Sequence, residues 1–179
     1  MKRLQSNDVI YQDSEMTQIK IVSPKYGEKV CTMDTGDYES KIKNYHIGLA
    51  TQPGSNVYYG KLCIGNGESM LLHKFIIGAD STVDHIDGNG LNCRRNNLRT
   101  CTHAENMRNT KPHRDNKYSG FKGVSYDRHG LRQKRYIARI GVERRSIYLG
   151  IYETAEEAAR AYNTAAVKYF GEFAHLNDL

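Results

Sequence analysis

Short runs with strand-like alternation hold most of the apolar positions of this chain, and a helical period takes over near its C-terminus. Ile19-Lys-Ile-Val22 and Val57-Tyr-Tyr-Gly-Lys-Leu-Cys-Ile64 are β-like, with a turn-rich stretch at Asp34-Thr-Gly-Asp37 between them, enough for a small sheet. An apolar strand is predicted over Ser81 to Ile86. Asp87-Gly-Asn-Gly90 is then dense in turn residues, and Asn97 to Cys101 returns as a short second strand. Thr102-His-Ala-Glu105 reads as a capping box, which puts Asn106 in the first turn of a helix. The run Asn109 to Lys117 contains proline and no apolar anchor, as a linker does. Three more strand patterns follow, at Phe121 to Tyr126, Tyr136 to Ile140 and Ser146 to Tyr152. A second capping box at Thr154-Ala-Glu-Glu157 then opens a helix with a stripe of Ala158, Tyr162, Ala165 and Tyr169, which Gly171 is placed to end.

The middle block carries chemistry. Asp84 and His85 end the first strand, and the start of the next helix points back towards them, so Asp84, His85 and Asn106 can converge. Hydrolysis of a phosphodiester needs a base that deprotonates water, and a histidine, with an unperturbed pKa of about 6.5, accepts a proton at neutral pH. His85 fits that task. A hard cation such as Mg²⁺ takes carboxylate and amide oxygens together with waters, and polarises a phosphate. Asp84 and Asn106 offer such oxygens. An isolated Asp-His pair is more often a polar turn; here Asn97, the capping box and Asn106 all follow in register, which reverses the odds.

The pattern D-H-x-D-G-N from Asp84, then N-L-R from Asn97, then Asn106, resembles the HNH endonucleases, in particular the free-standing homing enzymes of phages and introns, over roughly residues 71–109. The resemblance implies a ββα-metal finger that holds one divalent cation, Mg²⁺ or Mn²⁺. Asp84 and Asn106 would be its ligands, His85 the general base, and Asn97 the brace of the loop that carries the histidine. Asn106 stands where many members have a second histidine, a variant that occurs in the homing branch. Of the neighbouring residues, His73 is read as a packing residue in preference to a phosphate contact. His103, beside Asn106, is read as facing away from the site. Arg94, Arg95 and Arg99 are either solvated surface or holders of the DNA backbone.

The C-terminal block, with FKGV, YIARI, YLGIYETAEEAARAYNTAA and the closing GEFAHLN, resembles the plant ethylene-response-factor (APETALA-two) DNA-binding domain over about Ser119 to Asn177. Such domains also occur at the C-terminus of mobile HNH endonucleases, so the two resemblances support each other. The fold implied lays a helix on one face of a sheet and puts the other face in the DNA major groove. Strand alternation then turns Tyr136, Ala138, Ile140, Ile147 and Leu149 to the helix, and Arg139, Ser146 and Tyr148 to DNA. Arg128, Arg132, Lys134, Arg135, Arg144 and Arg145 crowd the two turns, and Lys122 matches a basic DNA-contacting position of the family. Ser125, Asp127, Gly141 and Ser146 stand where plant members usually carry arginine, so base preference does not transfer.

Charge agrees with this division. Residues 94–149 hold 15 Lys and Arg against 4 Asp and Glu, a net of +11 in a chain whose total is +6, so the remainder is acidic. A concentrated basic stripe is what phosphate binding needs. With 39% apolar residues, 4 Phe and no Trp, no large core is expected. The four cysteines form no C-x-x-C pair, which points to reduced thiols in preference to a structural zinc site. No run approaches the ~18 apolar residues of a membrane span, and the first residues lack a secretory apolar core.

The expectation is an α+β chain. It comprises a small β-rich N-terminal region (1–70), a ββα-metal nuclease motif (71–109), a basic linker (110–117), and a three-stranded antiparallel sheet packed on one C-terminal helix (118–179). The expected function is metal-dependent cleavage of double-stranded DNA, by a chain that acts as a monomer on DNA in the cytoplasm of a bacterial or phage-infected cell. The alternatives are a DNA-binding regulator with a relic nuclease motif and, behind it, an RNA-binding structural protein.

Overall fold

A computed structural model describes residues 7–51, 57–78, 82–110, 119–127 and 136–179. They fall into two compact units, Met1–His103 and Ala104–Leu179.

The first unit opens with an antiparallel meander of β1 (Asp8–Gln12), β2 (Met16–Ser23) and β3 (Gly27–Asp34). Alternation along β2 and β3 buries Thr17, Ile19, Ile21, Cys31 and Met33 and leaves Val22 and Val30 on the outer face. The stretch after β3 is helical where the sequence reads as a turn: α1 (Thr35–Asp37) runs into a π-helical turn over Tyr38–Ile42 and drives Tyr38 and Ile42 into the core. Asp37 tolerates its burial there because Arg95 and Lys41 pair with its carboxylate. A second meander follows, of β4 (His46–Thr51), β5 (Tyr58–Gly65) and β6 (Glu68–Leu71), and leads into α2 (Leu72–Ile77).

The hairpin of interest pairs β7 (Thr82–His85) with β8 (Leu98–Cys101). The return strand starts one residue later than expected because Asn97 closes a 3₁₀ turn over Arg95–Asn97. Ser81, the expected start of the outgoing strand, lies outside the described residues.

One core joins these parts. Ile19 and Met33, Ile42, Ile47 and Leu62, Leu72 and Ile76, and Val83 and Leu98 belong to a single buried cluster. The expectation of no large core is therefore corrected: aliphatic side chains from both meanders, α2 and the hairpin converge, and few aromatic rings are needed. The loop after β7 is also sewn to β3 by backbone bonds, from Thr32 N–H to Leu91 O (2.9 Å) and from Cys93 N–H to Thr32 O (2.7 Å).

In the second unit, α3 (His103–Arg108), whose first residue precedes the boundary, starts directly after Thr102. The antiparallel sheet has the order β11-β10-β9, built from β9 (Val124–Tyr126), β10 (Tyr136–Val142) and β11 (Arg145–Tyr152). A bulge at Leu149 shifts the register from Ala138 opposite Gly150 to Arg139 opposite Tyr148. Ala138 and Ile140 are buried, with Ile147 and Leu149 packed beside them, while Arg139, Ser146 and Tyr148 are exposed. The long helix α4 (Ala155–Phe170) opens with the expected capping box: Thr154 Oγ1 accepts from Glu157 N–H at 3.2 Å, and the Glu157 carboxylate accepts from Thr154 N–H at 3.4 Å. Its buried face corrects the expected stripe, since Tyr169 is 40% exposed and Phe170 is buried. The buried arc is centred between the Ala158 and Ala159 rows, and by the last turn that centre has passed from Tyr169 to Phe170.

The chain end is fastened by Asn177. It accepts from Lys122 N–H (2.6 Å), donates to Lys122 O (3.1 Å), and exchanges two backbone bonds with the Asn163 amide (2.8 and 2.9 Å). Beside this clasp Gly123 has φ +74°, and a Cβ there would overlap the Tyr162 ring and stand 2.7 Å from Arg139 O. Gly123→Ala is expected to destabilise the chain by roughly 3 kcal/mol or more, from the left-handed backbone and the overpacking together. Urea unfolding measures this, and a midpoint unchanged from wild type would contradict it. No helix among the described residues is long and apolar enough to cross a membrane.

Candidate active site

In the β7–β8 hairpin Asp84 lies opposite Arg99 and His85 opposite Leu98. Because successive residues of a strand point to opposite faces, the acid and the histidine are turned apart. His85 is on the core side with 5% of its surface exposed. The His73 ring meets it edge-on (centroids 4.8 Å apart, interplanar angle 87°), Tyr59 lies 5.9 Å away, and Cys93 Sγ is 3.9 Å from Nε2. These contacts fix the direction of the imidazole.

His73 is buried, as the packing reading expects, and its Nδ1 has no hydrogen-bond partner. Burial, reinforced by His85 and Lys74, pushes its pKa down from 6.5 to about 4. The unfolded chain therefore takes up this proton first, so the stability due to neutral His73 is complete above pH 6.5 and is lost as pH falls towards 4. Between pH 7 and 4.5 wild type is expected to lose about 2–3 kcal/mol more than His73→Phe, which keeps the ring contact without the titration. Urea unfolding at the two pH values tests this; equal losses would remove His73 from the account.

The loop after β7 is organised around Asp87 and Asn97. Asp87 accepts from Asn89 N–H (2.8 Å), Asn97 Nδ2 (2.9 Å) and Asn92 Nδ2 (2.7 Å). Burial works to raise the pKa of Asp87, but these donors outweigh it and hold the carboxyl below its ordinary range. Asn97 is itself buried. Its Oδ1 accepts from Asp87 N–H at 3.0 Å and its Nδ2 also donates to Asn92 O at 2.8 Å, so one side chain spans the loop. Gly90 seats the loop against β5, where a Cβ would overlap Tyr58 O and the Tyr59 ring.

The arginines beside the motif have protein partners. Arg99 donates from Nε (3.0 Å) and Nη2 (2.7 Å) to the same oxygen, Asp84 Oδ2. Arg94 Nε reaches Asp34 at 3.1 Å, and Arg95 forks onto Asp37 at 2.6 and 2.7 Å while also donating to Ile76 O. Lys122 donates from Nζ to Arg108 O and Thr110 O, and burial lowers its pKa to about 8. By contrast Arg139, Arg144 and Arg145 are exposed, and the Arg139 guanidinium lies 5.9 Å from the centroid of the exposed Tyr148 ring. Arg128, Arg132, Lys134 and Arg135 lie outside the described residues.

The first unit thus pairs Asp84 with Arg99 on one face of the hairpin, turns His85 to the other and places Asn97 in the connecting loop, while Asn106 belongs to α3 in the second unit. His103, at the start of α3, is exposed. Sequence reasoning missed Tyr59, Cys93 and the role of Asp87 as a hub. The dense Asp87-Gly-Asn-Gly90 turn was a signal for Asp87; Tyr59 and Cys93 had none. Among the described residues no group of three or more His, Cys, Asp or Glu is placed to hold a metal ion. Asp84 nevertheless suits one, because a guanidinium cation already stands in against its carboxylate oxygen. Hard oxygen donors of this kind favour Mg²⁺ or Mn²⁺.

Comparison with known proteins points to the same segment of the chain. Residues 79–108 match the family model of the HNH endonucleases. A protein of Acanthamoeba polyphaga mimivirus, named as an uncharacterized HNH endonuclease, is 33% identical over 118 residues, which are 62% of this chain and 58% of that protein. The chain thus spans somewhat under three-fifths of that relative's length. No solved structure matches the chain. The family match covers the hairpin, the braced loop and α3, and so takes in Asp84, His85, Asn97 and Asn106 together.

Proposed function

We propose that this protein is a metal-dependent DNA endonuclease of the HNH type, acting as a homing enzyme. The observation that carries the reading is the family match over residues 79–108, on a hairpin that fixes His85 in direction and carries Asp84 beside it. In this reading His85 takes a proton from the attacking water, and Asn97 keeps the loop beside it in shape. Asp84 would hold the cation by a carboxylate oxygen, and Asn106 offers an amide oxygen of the same hard type as the other expected ligand. Bound there, a divalent ion supplies Lewis-acid polarisation of the phosphate and stabilises the leaving oxygen.

The second unit is read as the DNA-docking part, of the ethylene-response-factor type. Three strands with one covering helix support this, as do the exposed Arg139, Tyr148, Arg144 and Arg145 on the side away from that helix or at the β10–β11 turn. A two- or three-stranded ribbon fits the major groove, and guanidinium groups serve phosphates and guanine edges. The substrate is double-stranded DNA. Incubation of the whole chain with supercoiled plasmid in Mg²⁺, Mn²⁺ or EDTA tests the reading. Nicking or linearisation that EDTA abolishes is expected. Plasmid that is bound but left intact with either metal would make the chain a DNA-binding protein with a relic motif.

A further inference from the structure

Arg99 has an unusual partner. Arg94 and Arg95 pair with Asp34 and Asp37, far along the chain, and tie the loop to the first meander. Arg99 pairs across the hairpin with Asp84, the residue proposed above as a metal ligand. The contact is close and enclosed, with Nε and Nη2 both within 3.0 Å of Oδ2 and side-chain exposures of 13% for Arg99 and 6% for Asp84. The strand register makes it, since Asp84 and Arg99 are directly opposed.

A buried carboxylate stripped of its partner cation is strongly unfavourable, so some positive charge has to stand on Asp84 at all times. Two cations drawn to the same carboxylate oxygen repel each other and compete for its lone pairs. A coordinated Mg²⁺ sits about 2.0–2.1 Å from its ligand atom and uses a lone-pair direction that the guanidinium fork now takes. Resting on the proposed role of Asp84, we propose that Arg99 is a guard: it holds Asp84 in the metal-free protein, is displaced when a divalent cation arrives, and then turns its fork to a phosphate oxygen of bound DNA. Arg99 is thus a positioning residue that couples metal entry to the grip on substrate. The planar guanidinium suits both partners, because its donors match carboxylate and phosphate alike.

The test is Mn²⁺ binding to the whole chain without DNA, read from the electron paramagnetic resonance signal of unbound Mn²⁺. It compares wild type, Arg99→Gln, Arg99→Lys and Asp84→Asn. Removal of the competing charge is expected to tighten Mn²⁺ binding about tenfold or more in Arg99→Gln, with Arg99→Lys in between. Asp84→Asn should bind far more weakly than wild type. If Asp84→Asn weakens binding while Arg99→Gln matches or falls below wild type, the guard is refuted and the ligand role of Asp84 stands. If Asp84→Asn binds as wild type does, the ligand role itself fails and takes the guard with it. Should Arg99→Gln not fold, Mg²⁺ is titrated into the wild-type chain and the Arg99 Nε–H nuclear magnetic resonance signal is followed. A signal that moves in step with metal occupancy supports displacement, and one that stays in place at saturation overturns it.

Discussion

His85→Ala is expected to cut supercoiled plasmid about 10²–10⁴-fold more slowly than wild type at neutral pH, the usual worth of a positioned general base, with DNA affinity in EDTA unchanged. The ring is buried against His73, Tyr59 and Cys93, so the alanine also leaves a cavity that costs about 2–4 kcal/mol of stability. His85→Gln fills more of that space and separates the two effects, since it should lose cleavage equally while unfolding closer to wild type. Comparable cleavage by wild type and either folded variant would remove His85 from the chemistry.

The second large effect concerns DNA binding. The triple change Arg139→Ala, Arg144→Ala, Arg145→Ala removes three exposed guanidiniums from the β10–β11 hairpin. If each neutralises one phosphate, the dependence of log affinity on log salt should flatten by about 2.7, and affinity at 0.15 M salt should fall about a hundredfold. Fluorescence anisotropy on a labelled duplex, read across salt concentrations, measures both quantities. A parallel salt line with little loss of affinity would move the DNA-docking surface elsewhere.

What the sequence made legible is local chemistry. The Thr154–Glu157 capping box and the alternation of β10 and β11 are each decided by residues within a few positions of one another, and the structure reproduces them. The arginines after the turn were harder. Arg94 and Arg95 beside a nuclease-like motif look like DNA contacts, yet their carboxylate partners lie 60 and 58 residues earlier in the chain. Only tertiary pairing reveals them. Tyr59, in the N-terminal region, gave no signal for the same reason: it matters by packing on His85, and no periodicity in the sequence announces that contact. Tyr169 shows the limit of a single-row reading, because an alanine-rich helix can nest a sheet along either of two neighbouring rows.

The seam between β3 and the loop after β7 bears on how such a motif can be transplanted. A graft of residues 79–108 into a foreign protein would carry Asp84, His85 and Asn97 as letters. It would leave behind the Thr32 rung that holds Leu91 and Cys93, the carboxylates that hold Arg94 and Arg95, and the Tyr59 wall on which Gly90 rests. The motif is therefore a poor cassette. The structural unit of the hairpin extends back through both meanders, and a break between β3 and β7 would sever the shape of the site while sparing every residue of its signature.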